Sequence, residues 1–175
     1  IADAITTLKQ DGKNVSDNWL NTKNAPSEND YSISLRVQYG SFVYFTGGDL
    51  DGSRDFSYGM EISDEEERIK DIVGRVDVYR VNHHGDLHSS SSKFLSAMRP
   101  SVSIISCGKD NRYGLPHVET VKRLYMNGGD VLMTEECNPS LTASYDNFKA
   151  IEDDIIITVP MNGTHYLVTS ENGKF

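Results

Sequence analysis

At 175 residues the chain has the length of one domain, and 37% hydrophobic residues together with 14 glycines suffice for a packed core. A net charge of −9, with 17 basic residues against 26 acidic ones and no Lys/Arg cluster, argues against tight nucleic-acid binding by this chain alone. No apolar run approaches the ~20 residues that a membrane-spanning helix needs.

Cys107 and Cys137 are too few for a disulfide framework or a thiolate zinc site and read as two ordinary thiols. The first residue is Ile and no signal segment precedes it, so a processed protein or an excised or proteolytic piece is expected.

In chain order, Ile1–Gln10 carries a helical spacing ended by Asp11-Gly12, and the polar stretch to Asp30 reads as a connecting segment. Residues 1–30 are therefore expected to be a connecting helix and loop. Ile33, Leu35 and Val37 alternate with polar residues, as in a half-buried strand. Phe42–Thr46 reads as a buried strand, and Gly47-Gly48 ends it and delivers Asp49 at its tip.

A capping box at Ser63-Asp64-Glu65-Glu66 predicts a helix to about Val73. Val76, Val78 and Val81 form a strand running into His83-His84-Gly85. A Ser-capped helix with Phe94, Leu95 and Met98 stops at Pro100, and a strand follows over Val102–Cys107. After the loop Gly108–Pro116, a helix carries Val118, Val121 and Leu124 and ends at Gly128-Gly129. The strand Val131–Thr134 and a hairpin around Asn162-Gly163, with His165 in its second strand, complete the pattern. Alternating strands and helices predict an α/β fold with a mixed sheet.

Chemistry is expected beyond the carboxyl ends of the strands, where loops converge on a rigid frame. Asp49 either caps a turn or stands ready for a metal, because two glycines let a ligand approach closely. Adjacent side chains at a strand end point to opposite sides, so one of His83 and His84 would face a given site. Neutral imidazole suits Zn²⁺, Fe²⁺ or Mn²⁺, and the other ring would then act as acid/base or support; a solvated or core pair is the alternative. Ser89 opens a serine run that either caps a helix or places amides on an anion. Asn111 and His117 lie in or just past the long loop, the kind of segment that binds substrate.

Together these segments resemble the metallo-β-lactamase superfamily, and within it the hydrolase domain of the ComEC-type bacterial competence proteins. The resemblance rests on Thr46-Gly47-Gly48-Asp49, on Asp77–Gly85 ending in His-His-Gly, on Ser106-Cys107-Gly108, and on Asn111 to His117 with its Asn-X-Tyr-Gly-X-Pro-His pattern. It implies an αβ/βα sandwich with a zinc site of one or two ions, Mn or Fe being alternatives. Asp49 resembles the bridging carboxylate and His84 the ligand that follows it. His83 would be catalytic or replace His84, and Asn111, His117 and Ser89 would lie toward substrate.

Two departures stand out. Leu115-Pro116-His117 replaces the family's usual His-Pro-His, and none of the five histidines forms the signature His-X-His-X-Asp-His. Residues 1–175 therefore read as the C-terminal portion of such a domain, lacking its N-terminal half. The expected partner is that half or a second copy of the chain, and the expected substrate is a phosphodiester, a related ester or another small molecule. Metal binding by this chain alone is expected to be weak or absent. A degenerate family member serving binding or assembly, with no catalysis, is the alternative.

Overall fold

The computed structural model describes residues 25–53, 55–57 and 60–173. The expected helix over Ile1–Gln10 lies outside them. The described chain is mixed α/β, built on a six-stranded sheet that is mostly parallel.

Its strands are β2 (Leu35–Tyr39), β3 (Phe42–Thr46), β6 (Val78–Arg80), β7 (Val102–Ile105), β8 (Asp130–Met133) and β9 (Phe148–Ala150), in that order across the sheet. β2 runs antiparallel to β3, and every later pair is parallel. A three-stranded sheet of β1 (Ala25–Pro26), β5 (Met60–Ile62) and β4 (Asp55–Ser57) stands apart, as does the antiparallel hairpin of β10 (Ile155–Thr158) and β11 (Leu167–Ser170). Four α-helices, α1 (Glu65–Val73), α2 (Ser92–Met98), α3 (Val118–Asn127) and the short α4 (Pro139–Thr142), and two 3-10 turns, Glu28–Tyr31 and Asn82–Gly85, complete the described chain.

Most of these elements follow from local sequence. α1 starts where Asp64 accepts the Glu67 amide, one residue later than a cap on Ser63 would place it. Ser91 caps α2 through the Phe94 amide, and Arg99 closes that helix in a left-handed conformation ahead of Pro100. The hairpin strand begins at Leu167, so His165 lies in the preceding connection. β1, β4, β5, β9 and α4 are too short for periodicity to reveal.

The two faces of the large sheet are covered differently. On one, Phe94, Leu95 and Met98 of α2, Val73 of α1 and Leu124 of α3 pack on Val43, Phe45, Tyr79, Ile105 and Met133. On the other, Ile155, Ile157 and Val168 of the hairpin cover Phe42, Val78, Ile104 and Leu132. Each fully buried large apolar side chain contributes roughly 1.5–3 kcal/mol.

Two expectations are corrected. β2 is not half-buried: it is an edge strand of the large sheet, with Leu35 54% and Val37 51% exposed. Cys107 and Cys137 are not free thiols; they form a disulfide with Cα atoms 5.8 Å apart. The parallel pairing of β7 and β8 brings the residues just past their ends together, across a sequence separation of 30.

Candidate functional site

The site lies beyond the carboxyl ends of β3, β6 and β7, where three connections meet. After β3, Gly47 donates its amide to Asn82 Oδ1 at 3.1 Å, and a Cβ on Gly47 would sit 2.6 Å from that oxygen. Only glycine permits this approach. Gly48 accepts the His83 amide at 2.9 Å, and Ser32 Oγ accepts the Asp49 amide at 3.1 Å. The tip carrying Asp49 is thereby tied to the histidine turn from both sides.

Past β6, residues Asn82–Gly85 form a single tight turn in which His83 (φ 47°) and His84 (φ 53°) are both left-handed. Consecutive non-glycine residues in this region cost about 1–2 kcal/mol each. The surrounding bonds hold them there and send the two rings to different surroundings.

His84 faces Asp49. Its Nδ1 lies 2.6 Å from the Ser106 carbonyl oxygen, which can only accept, so Nδ1 carries the proton and Nε2 presents a lone pair in the neutral ring. That Nε2 is 3.6 Å from Asp49 Oδ1, with both side chains about two-fifths exposed.

His83 faces a cavity of about 690 Å³ whose lining includes Asp51, Asp86, His88, Arg112, Tyr113 and His117. Its Nδ1 is 2.9 Å from Asp51 Oδ1, and Asn29 approaches the other ring nitrogen at 3.5 Å. Burial works against the charged imidazole. The Asp51 hydrogen bond, with the charges of Asp51, Asp86 and Asp49, outweighs it and raises the His83 pKa above the ordinary value.

Beneath the turn lies a buried polar network centred on Glu66 of α1. Its carboxyl oxygens accept from the Ser90 and Ser91 amides at 2.6 and 2.7 Å and from Asn82 Nδ2 at 2.9 Å. Burial dominates these three bonds and pushes the Glu66 pKa up from 4.5 to about 7. A Cβ on Gly52 would lie 1.9 Å from Glu66 Oε2, so glycine is required there as well. From α3, Arg123 donates to the carbonyls of Leu87, Ser89 and Ser90, and Thr120 donates to that of Asp86 at 2.6 Å.

The remaining residues singled out from sequence are placed as follows. His117 lines the cavity, accepts the Leu87 amide on Nδ1 at 3.0 Å, and lies 3.3 Å from Asp86 Oδ2. Ser89 is fully buried, and its hydroxyl is engaged with the carbonyls of Asn82 and Asp86. Asn111 folds its amide back on Gly108 and Leu115, ordering its own loop. The structure thus brings Asp49 and His84 together, sets His83 and His117 on the cavity, and puts Ser89 and Asn111 to work inside their own loops.

Asp51, Asp86 and Glu66 were not singled out from sequence. Asp51 follows Asp49 by two residues and Asp86 follows His84 by two, and such acidic neighbours in loops carry no distinguishing signal before the fold is known.

No family model matches the chain. It is 28% identical over 123 residues to ComE operon protein 3 of Bacillus subtilis (strain 168), an alignment covering 69% of this chain and 14% of that protein. It is 30% identical over 99 residues to Recombination protein 2 of Haemophilus influenzae (strain ATCC 51907 / DSM 11121 / KW20 / Rd), covering 57% of this chain and 11% of that protein. The chain corresponds to a small part of each relative. The ComE name of the first agrees with the ComEC-type resemblance that the motifs carry.

Proposed function

We propose that this chain is the C-terminal portion of a metallo-β-lactamase-like hydrolase domain that cleaves a phosphodiester or related ester. The observation that carries the reading is the pairing of Asp49 with His84. The Ser106 carbonyl fixes the proton on Nδ1 of His84 and leaves Nε2 3.6 Å from a partly exposed carboxylate oxygen. Orienting a metal-binding imidazole through a backbone carbonyl is how such ligands are commonly held.

Carboxylate oxygen and imidazole nitrogen suit zinc, and Mn or Fe as alternatives. Asp49 and His84 would hold the ion, which when bound supplies a water of lowered pKa and polarises the ester. These are two donors where a catalytic zinc site uses three from protein, so the others would come from the N-terminal half of such a domain. His83 stands on the far side of the turn, hydrogen-bonded to Asp51 in the adjoining cavity. Arg112 and His117, which line the adjoining cavity, supply cationic and hydrogen-bonding groups for an anionic ester. The word recombination in the name of the Haemophilus influenzae relative favours nucleic acid as the source of that ester.

The test is to express the chain together with the coding sequence that flanks it and assay hydrolysis of bis(p-nitrophenyl) phosphate with added Zn²⁺ or Mn²⁺. Turnover abolished by Asp49→Ala and by His84→Ala is the expected result. No turnover in the longer protein overturns the reading in favour of a non-catalytic binding or assembly module, and near-normal turnover in either variant removes that residue as a metal ligand.

A further inference from the structure

On the cavity side of the turn, Asp51, His83 and Asp86 each offer one ligand atom, and these atoms lie within 4.8 Å of one another. Asp51 is the telling member. It is fully buried, its Oδ1 engages His83, and its Oδ2 has no hydrogen-bond partner among the described residues. A buried carboxylate oxygen left without a donor is costly, and native structures rarely keep one unless something else compensates it. Among the described residues no Lys or Arg is ion-paired with Asp51 or Asp86, and the groups beside the two carboxylates are the imidazoles of His83 and His117.

We propose that Asp51, His83 and Asp86 form a divalent-cation site, separate from the Asp49–His84 pair and taking a borderline ion such as Mn²⁺ or Zn²⁺. Two carboxylates and one imidazole fit that class; Ca²⁺ calls for six to eight oxygens and thiolate-preferring ions for sulfur. The frame is already rigid. Asp86 Oδ1 accepts the His88 amide at 2.9 Å, and its carbonyl is held by Thr120. Asp51 is fixed by its own carbonyl, which accepts the Glu65 and Glu66 amides at the start of α1. Three protein donors leave coordination positions open, and all three residues line the cavity, so water or a small anionic group can reach the ion. Asp49 and His84 do not line that cavity, and the inference does not rest on the hydrolase reading.

The experiment is a Mn²⁺ titration of the 175-residue chain followed by the electron paramagnetic resonance signal of free Mn²⁺, with Zn²⁺ as a calorimetric titrant. One ion per chain is expected, with affinity falling roughly tenfold or more in Asp51→Asn and in Asp86→Asn. Asp49→Ala and His84→Ala are expected to lower that affinity far less than Asp86→Asn does. Should Asp51→Asn fail to fold by circular dichroism, Asp86→Asn decides, because Asp86 is not among the fully buried residues. Absence of binding by both ions, unaltered affinity in Asp86→Asn, or loss of binding in Asp49→Ala would each overturn the proposal.

Discussion

His83 and His84 are chain neighbours with the same backbone conformation, yet they belong to different chemistry. His84 is half open to solvent, its tautomer set by the Ser106 carbonyl and its free nitrogen turned to Asp49. His83 is largely buried against Asp51, in a cavity whose other walls come from the segment before β2, from Ile62 of β5 and from the connections after β6 and β7. One side pairs an imidazole with a single exposed carboxylate. The other concentrates two carboxylates around an imidazole on the wall of a cavity. The difference teaches that a His-His pair in a tight turn is a divider between two environments, and that neighbouring loops, not the pair itself, decide what each ring can do.

The predictions follow from that division. The largest effect is expected where both sides share a support. Glu66→Ala strips the acceptor from the Ser90 and Ser91 amides and from Asn82, and should cost about 3–5 kcal/mol, read as a lowered midpoint in denaturant unfolding. A loss under about 1 kcal/mol would show that the turn does not depend on this network.

Next come the two variants on the exposed side. In the longer, active protein Asp49→Ala and His84→Ala should each lower kcat/KM by a thousandfold or more, about 4 kcal/mol of transition-state stabilisation. Thermal melting should change little, because both side chains are partly exposed. A large stability loss with activity retained would make the pair structural and erase the contrast with His83.

A third prediction concerns pH. The Glu66 carboxyl titrates near 7 in the fold against 4.5 ordinarily, so between these values the folded state binds more protons than the unfolded one. Its stabilising contribution is therefore complete below pH 4.5 and fades as pH rises through 7. Over that window the wild type should lose roughly 2–3 kcal/mol that Glu66→Gln does not, measured as the difference between the two stability–pH curves. Parallel curves would place the Glu66 pKa at its ordinary value.

The smallest effect falls on the cavity wall. His117→Ala leaves the Leu87 amide without its acceptor and should cost about 1 kcal/mol in stability, with a kcat/KM loss far below that of the Asp49 variant. A loss as large as that of Asp49→Ala would move the reacting centre into the cavity.

Much of the frame was legible in the chain because its signals are local. Phe42–Thr46 is a run of apolar and β-prone residues, the Ser63 capping box and the serine run before Phe94 announce two helix starts, the first one residue early, and Gly47-Gly48 marks a turn that must admit a close neighbour. Asp49 and the histidine pair were legible for the same reason: each stands at the end of a strong strand signal. The exposure of Leu35 and Val37 was not, since period-two alternation reports a strand's two faces and not whether anything covers one of them. Nor was the Cys107–Cys137 disulfide, which depends on two strands being neighbours in the sheet.

By itself, then, the sequence determined the α/β alternation, the strand ends at which polar groups collect, and the identities of Asp49, His83 and His84 as groups worth notice. Only the tertiary structure decided which carboxylate each histidine meets. That depends on how the parallel strands stack β3, β6 and β7 side by side and on the left-handed turn that separates two adjacent rings. It also turned Glu66, one acid among three in an acidic helix start, into the buried acceptor beneath the turn. The physical reason is range: propensity, capping and periodicity act over a few residues, while ligand sets and buried charges are assembled from residues tens of positions apart.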